Sequence, residues 1–498
     1  MQTVKRVLVI CYYWPPAGGS GVQRWVKFAK YLPAEGWQPV VYTPENPEYT
    51  AIDRTLGEEI PPEAEIIKTH IWEPYSAYRR IFGKGASTDM KTLTAGEGDK
   101  TDKTTTQAGA TGGEVTPISS GKKSWKQRLS LWIRGNMFIP DPRVKWVKPS
   151  VRFLKKYLAE HPVDVIVTTG PPHSVHLIGK RLHEALGTPW VADFRDPWSR
   201  MYYLKHLGMT KRSWRKLKTM EQSVLDSCST VLAVTPAVQA DFRAMTSTPV
   251  ECITNGFDDA DFKEISRLRP SGSARNDKNA TAGIQGTADA KGTTGAQGAA
   301  STQGTTERFT IVHTGLLATD GNPTELWRVL GDMTKTDETF RDKLEIRLVG
   351  KTDAEVLRSM EEAGIKANVT NLGYLDHLSS VAEQQGADVL ILPLRNDPEY
   401  KPILPGKLFE YLASRRPVIG IGQPDGAMAD VLRETGAGET YDWGDRDGIR
   451  SAIESLWGEY LRGGIPARDG NIEKYSRKSL TRELAGLLDR MAAQKPQA

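Results

Sequence analysis

The stretch Pro405-Gly406-Lys407-Leu408-Phe409-Glu410-Tyr411-Leu412-Ala413-Ser414, continued by Arg415-Arg416-Pro417-Val418-Ile419-Gly420-Ile421-Gly422, carries the main signal for both fold and site. Pro405-Gly406 reads as a loop and Lys407 opens a helix, because Leu408, Tyr411 and Leu412 recur at helical spacing. Pro417 then leads into a short buried strand. The apolar face docks the helix on a sheet. Lys407 and Glu410 stand three residues apart on one face of the first turn. A helix start offers unpaired N–H groups and positive potential, and Lys407 adds a full charge, so a diphosphate fits there. Glu410 offers its oxygens to two adjacent hydroxyls, as a ribose presents them. A salt bridge between the two side chains on a solvated helix explains the same spacing, and both readings stand at this point.

Working outward, the same alternation of apolar strand and amphipathic helix recurs along the 498 residues. Phe309–Gly315, Leu344–Gly350, Val369–Leu375, Ala387–Leu394 and Pro417–Gly422 read as strands separated by helical patterns such as Thr324–Met333, which predicts a parallel sheet. Upstream, Val7–Cys11, Pro39–Thr43, Val163–Thr169, Pro189–Phe194, Thr230–Thr235 and Val250–Asp258 predict a second one. The strand Val7–Cys11 is followed by Tyr12-Tyr13-Trp14-Pro15-Pro16-Ala17-Gly18-Gly19-Ser20-Gly21 and then by a helical pattern, Val22, Trp25, Val26, Ala29, Leu32. Strand, glycine-rich loop and helix is the layout of a phosphate-binding turn, with Gly18, Gly19 and Gly21 allowing close backbone approach. The absence of G-x-G-x-x-G, and of an acidic residue ending the next strand, argues against a nicotinamide site.

Two tracts differ in composition. About 85–121 and about 271–307 are rich in Gly, Thr, Ala and Ser with few large apolar residues, too few to offset the entropy of ordering; both are read as flexible insertions. The division expected is a first domain over 1–257, a junction over 258–307, a second domain over 308–475 and a C-terminal helix over 476–498 that packs back on the first domain.

Net charge is +5, modest for this length, and the three cysteines Cys11, Cys228 and Cys252 are scattered, as in a reducing compartment. Asp258, Asp259 and Asp261 read as an acidic helix start rather than a metal cluster. Charge is uneven, however. Lys122–Arg134 and then Arg143, Lys145, Lys148, Arg152, Lys155 and Lys156 form a basic region with Trp125, Trp132 and Trp146 among them; a second cluster spans Arg200–Lys218. Basic segments interleaved with aromatics suit an anionic membrane surface, and solvated helix faces are the alternative. No nucleic-acid-binding motif accompanies the charge, and no apolar run is long enough to span a bilayer. The expected location is cytoplasmic, with peripheral contact at the inner face of the plasma membrane.

The run Glu410-Tyr411-Leu412-Ala413-Ser414-Arg415-Arg416-Pro417-Val418 resembles the donor-binding motif of glycosyltransferase family 4, whose members have the GT-B architecture of two Rossmann-like domains facing across a cleft. Asp141-Pro142-Arg143 with Trp146, Gly170-Pro171-Pro172-His173-Ser174, Asp193-Phe194-Arg195-Asp196-Pro197-Trp198 and Thr254-Asn255-Gly256-Phe257-Asp258 add to the resemblance, which covers the chain outside the two tracts. It implies an enzyme moving a sugar from a nucleotide diphosphate donor to an acceptor hydroxyl, with retention of configuration, in surface polysaccharide or glycoconjugate synthesis. The implied partners are the donor and a lipid-linked or saccharide acceptor, with no cofactor and no metal. Implied donor-site residues are Gly18, Gly19, Gly21, Gly315, Gly406, Lys407, Leu408 and Glu410; Asp196, Arg195 and His173 are the acceptor-side, catalytic candidates. Pro402 stands where the family often carries a second Glu, and Gly315–Gly321 lacks the usual Arg and Lys. A nucleotide-sugar epimerase of the same architecture and an inactive nucleotide-sugar-binding relative are the alternatives.

Overall fold

The computed structural model describes residues 4–18, 20–49, 52–73, 125–262 and 308–494. Gly19, the insertion read at about 85–121 and the tract read at about 271–307 lie outside the described residues. Seven strands form the first sheet: β1 Lys5–Ile10, β2 Trp37–Pro44, β3 Glu65–Thr69, β4 Val165–Gly170, β5 Trp190–Phe194, β6 Thr230–Ala233 and β7 Val250–Cys252, in the order β3-β2-β1-β4-β5-β6-β7. Six more form the second: β8 Phe309–Thr314, β9 Leu344–Val349, β10 Val369–Gly373, β11 Val389–Pro393, β12 Val418–Ile421 and β13 Gly438–Tyr441, in the order β10-β9-β8-β11-β12-β13. Every pairing is parallel, for example Val7 with Val165 and Leu390 with Val418. The central strands are apolar on both faces because helices cover both, and β4 is buried along its whole length.

The two sheets therefore repeat one topology. Strand order reverses between β1 and β4, and again between β8 and β11. At such a point the loops following the two strands run in opposite directions and leave a crevice at the C-terminal edge, where open parallel sheets bind ligands. The loops in question begin at Cys11, Pro171, Gly315 and Leu394.

The chain crosses between the lobes twice, side by side. Phe257 N–H donates to the Tyr475 carbonyl (3.0 Å), and Arg477 N–H donates to the Phe257 carbonyl (2.7 Å). Gly256 is required here, since a Cβ at this position would lie 2.1 Å from the Tyr475 carbonyl oxygen. After the second crossing the helix Arg477–Ala493 returns to the first lobe and places Leu480, Leu484, Leu487, Leu488 and Met491 in its core.

One buried ion pair fastens the first lobe. Arg24, on the helix Ser20–Tyr31, reaches Asp193 of β5 at 3.2 Å, and both side chains are almost wholly excluded from solvent. The guanidinium also donates to the carbonyls of Ile253 (2.9 Å) and Thr254 (2.8 Å), while Asp193 accepts from Trp25 Nε1 (2.7 Å) and Thr169 Oγ1 (2.8 Å). Removing one partner would strand the other charge in the interior. Asp193→Ala is expected to cost roughly 3–5 kcal/mol of stability, read as a lowered urea midpoint; a midpoint within error of the parent would contradict this account.

Candidate active site between the two sheets

The helix Gly406–Ser414 stands on the C-terminal edge of the second sheet, with Leu408, Phe409, Tyr411 and Leu412 in the core. Its apolar face is what fixes the direction of its polar one. Lys407 lies over Gly315, the first residue after β8: a Cβ on Gly315 would fall 2.1 Å from both Cε and Nζ of Lys407. Gly315 also has φ +100, a conformation that favours glycine. The lysine charge is felt by His313 inside β8, whose pKa is pushed down to about 3, first by burial and then by Lys407, against two backbone hydrogen bonds. Gly406, Lys407 and Gly315 are thus brought together. Leu408 faces the core, and its N–H donates to the Pro405 carbonyl (3.0 Å).

Glu410 sits one turn along the helix. Its Oε2 accepts from Gln384 Nε2 at 3.0 Å, and Gln384, on the helix His377–Gly386, also reaches Thr314 Oγ1 at 3.3 Å. Lys407, besides its seat over Gly315, takes part in a further interaction within the protein. Glu399 forms an ion pair with Lys205 of the first lobe. Gln384 has no sequence signature: an amide on a helix is read as a surface residue unless its burial is known.

On the first lobe, Arg195 ties the opposing loops together. Its guanidinium donates to the carbonyls of Gly21, Gly170 (3.1 Å) and Pro171 (2.7 Å), so the glycine-rich turn after β1 and the loop after β4 are held at a fixed spacing. Gly18 packs on Asp53, with its missing Cβ 3.2 Å from Asp53 Cβ. Asp53 is near enough to Tyr374 of the second lobe to help burial raise that phenol's pKa, which sets the two rims opposite each other.

Asp196 is half-buried at the end of β5, and among the described residues no hydrogen bond or ion pair reaches its carboxylate. Burial pushes its pKa up, and the neighbouring Arg195 charge partly offsets this. His173 is buried and stacks on Trp198 with ring centroids 4.9 Å apart. Neither of its ring nitrogens has a partner among the described residues. Burial holds its pKa well below the usual value, and His176 and Arg195 add to the effect, so the ring is neutral. Asp141 accepts from Ser174 N–H (2.7 Å) and Ser174 Oγ (2.9 Å), which starts the helix after His173.

A chain of charges joins the lobes behind the cleft. Asp258 accepts from Lys27 (2.8 Å), Lys30 (3.0 Å) and Tyr31 (2.5 Å), and Asp261 binds Lys27 (3.1 Å) on one side and His377 Nε2 (3.2 Å) on the other. These carboxylates are engaged by cations of the protein itself.

With this geometry described, the class is clear: two Rossmann-like sheets with a ligand crevice between them, the GT-B architecture. Residues 110–261 match the family described as Glycosyltransferase Family 4, and residues 308–459 match the one described as Glycosyl transferases group 1. Together they span well over half the chain, which belongs to the family 4-like glycosyltransferases. Among curated proteins no sequence match is found. Solved structures share the fold at low identity. A glycosyltransferase from Rickettsia africae is 12% identical with a TM-score of 0.53, covering 98% of this chain and 99% of that one. Sucrose-phosphate synthase from Thermosynechococcus elongatus is 15% identical with a TM-score of 0.52, covering 98% and 97%. An alpha,alpha-trehalose-phosphate synthase (UDP-forming) from Burkholderia xenovorans is 11% identical with a TM-score of 0.52, covering 97% and 100%.

The His377–Asp261 contact has a definite pH dependence. Burial alone would lower the His377 pKa; the hydrogen bond to Asp261 and the charges of Glu410 and Asp261 outweigh it and lift the value to about 9. A raised pKa means stabilisation that is complete below the unfolded value of about 6.5 and is lost as pH rises through about 9. The difference in melting temperature between the parent and His377→Asn should therefore be largest near neutral or acidic pH and close as alkaline pH is reached. A difference that is independent of pH would show that the imidazolium does not contribute.

Proposed function

We propose that this glycosyltransferase transfers a sugar from a nucleoside diphosphate donor to an acceptor hydroxyl, with retention of configuration. The observation that carries the proposal is the seating of Lys407 over Gly315 at the start of the helix Gly406–Ser414, with Glu410 one turn away. The departing diphosphate gains negative charge as the glycosidic bond breaks. A helix N-terminus and an ammonium held in place before the reaction stabilise that charge without reorganisation. Glu410 accepts from the ribose hydroxyls, and Gly18 and Gly21 approach the donor from the other side. Arg195 holds Gly21 against the Gly170 loop, and Asp196, whose carboxylate has no protein partner among the described residues, orients the acceptor. The departing phosphate takes the acceptor proton, so no side-chain base is needed. Closure of the two lobes orients the reactants and excludes water.

The acceptor is lipid-linked on this proposal, presented at an anionic membrane surface. Leu129, Trp132 and Met137 of the helix Trp125–Met137 are exposed, and Lys145 Nζ lies 3.8 Å from the centre of the exposed Trp72 ring. Apolar side chains flanked by cations suit the headgroup region of an anionic bilayer. No helix among the described residues is long and apolar enough to cross a membrane.

Lys407→Ala should raise the donor KM roughly 10- to 100-fold, the worth of one hydrogen bond to a charged group, and Gly315→Ala should act in the same direction by displacing the ammonium. Donor KM values unchanged in both would remove the diphosphate grip. The donor itself is found by thermal shift across nucleotide sugars, since a bound ligand stabilises the fold by mass action. A changed sugar isomer without acceptor would favour an epimerase, and stabilisation without any turnover a binding-only protein. For the membrane, co-sedimentation with vesicles rich in phosphatidylglycerol is expected, with loss in Trp132→Ser and in neutral phosphatidylcholine. Equal binding to both lipids, or to neither, contradicts it.

A further inference from the structure

Gln384 is fully buried behind the donor grip. Its Nε2 donates both to Glu410 Oε2 at 3.0 Å and to Thr314 Oγ1 at 3.3 Å, one hydrogen for each acceptor. Thr314 ends β8, and its backbone N–H donates to the Tyr411 hydroxyl at 2.9 Å. The next residue is Gly315, the seat of Lys407. A single amide thus connects the helix that carries Glu410 to the strand end that seats Lys407.

Stability does not explain an amide at this position. Burying one costs free energy unless its hydrogen bonds are made, and the Oε1 of Gln384 has no partner among the described residues. An apolar side chain of the same length would fill the space without that cost. What the amide supplies is direction. A glutamate side chain turns about three bonds, and a donor on one oxygen confines it to a narrow range. With Oε2 occupied, Oε1 and the remaining lone pairs of Glu410 are left for a ligand.

We propose that Gln384 is a positioning residue for donor recognition: it fixes the Glu410 carboxylate and so sets how strongly the site distinguishes a ribonucleotide from its 2′-deoxy counterpart. The proposal rests on Glu410 being the ribose ligand. A residue that only filled the core would, on replacement, weaken both nucleotides alike; one that aims Glu410 acts more strongly on the ribonucleotide, which offers it two hydroxyls rather than one.

The test is calorimetric titration of the full chain with UDP, GDP and ADP, each beside its 2′-deoxy form. For the tightest of the three, the parent is expected to favour the ribonucleotide roughly 10- to 100-fold, the worth of a hydrogen bond to a charged group. In Gln384→Met, which keeps length and volume, the ratio should collapse to within about threefold, with the deoxy form, which offers Glu410 only its 3′-hydroxyl, losing less affinity than the ribonucleotide. A parental ratio in a folded Gln384→Met protein overturns the proposal, as does an equal loss for both nucleotides. Thr314→Val frees the amide from its second acceptor and should lower the ratio part of the way, which keeps the test open should Gln384→Met fail to fold; an unchanged ratio there counts against the proposal. Failure of the parent reading looks different: the wild-type chain would show no preference, and Glu410→Ala would leave both affinities as they were.

Discussion

The rest of the structure depends on the contact between Arg24 and Asp193. Arg24 follows the glycine-rich turn, Asp193 sits in β5, and the carbonyls of Ile253 and Thr254 that share the guanidinium lie where the chain leaves the first sheet. Three segments far apart in sequence meet at one cation: the turn facing the crevice, the strand that delivers Arg195 and Asp196, and the approach to the second lobe. The helix that carries Arg24 also presents Lys27, Lys30 and Tyr31 to Asp258 and Asp261. Position and charge on the first lobe are therefore set from one twelve-residue helix.

The two lobes use their polar groups differently. In the first, cations are spent on the protein: Arg24 on Asp193, Arg195 on three carbonyls, and Lys27 on a trio of carboxylates. Such groups hold loops at a fixed spacing. In the second, Lys407 and Glu410 stand on one helix face, the first seated over Gly315 and the second held by the amide of Gln384. The neutral amide of Gln384 donates directly to the carboxylate, whose charge is also felt by His377.

Much of this was legible in the sequence. The strand-helix alternation identified both parallel sheets because buried strands are continuous apolar runs, as in Val165–Val167 and Val389–Leu392. Lys407 and Glu410 were visible because helical periodicity places their neighbours inward and them outward. The seat of Lys407 on Gly315 was not, since the two residues come from different strand ends and only folding brings them together. Arg195 and Asp196 were visible as a charged turn, yet nothing in their spacing says that one is consumed by backbone carbonyls while the other has no protein partner among the described residues. Gln384 was missed outright: its meaning lies in being buried, and its helix is not marked by strong alternation.

The helix Arg477–Ala493 gives the first lobe a peculiar order of assembly. Its core needs Leu480, Leu484, Leu487, Leu488 and Met491, which lie beyond the entire second sheet in the chain. As the polypeptide emerges from the ribosome, the second lobe can gather its own strands as soon as they appear, whereas the earlier-made lobe keeps an apolar groove open until almost the last residues arrive. The part synthesised first is thus finished last, and any nascent or truncated form lacking this helix carries that groove exposed.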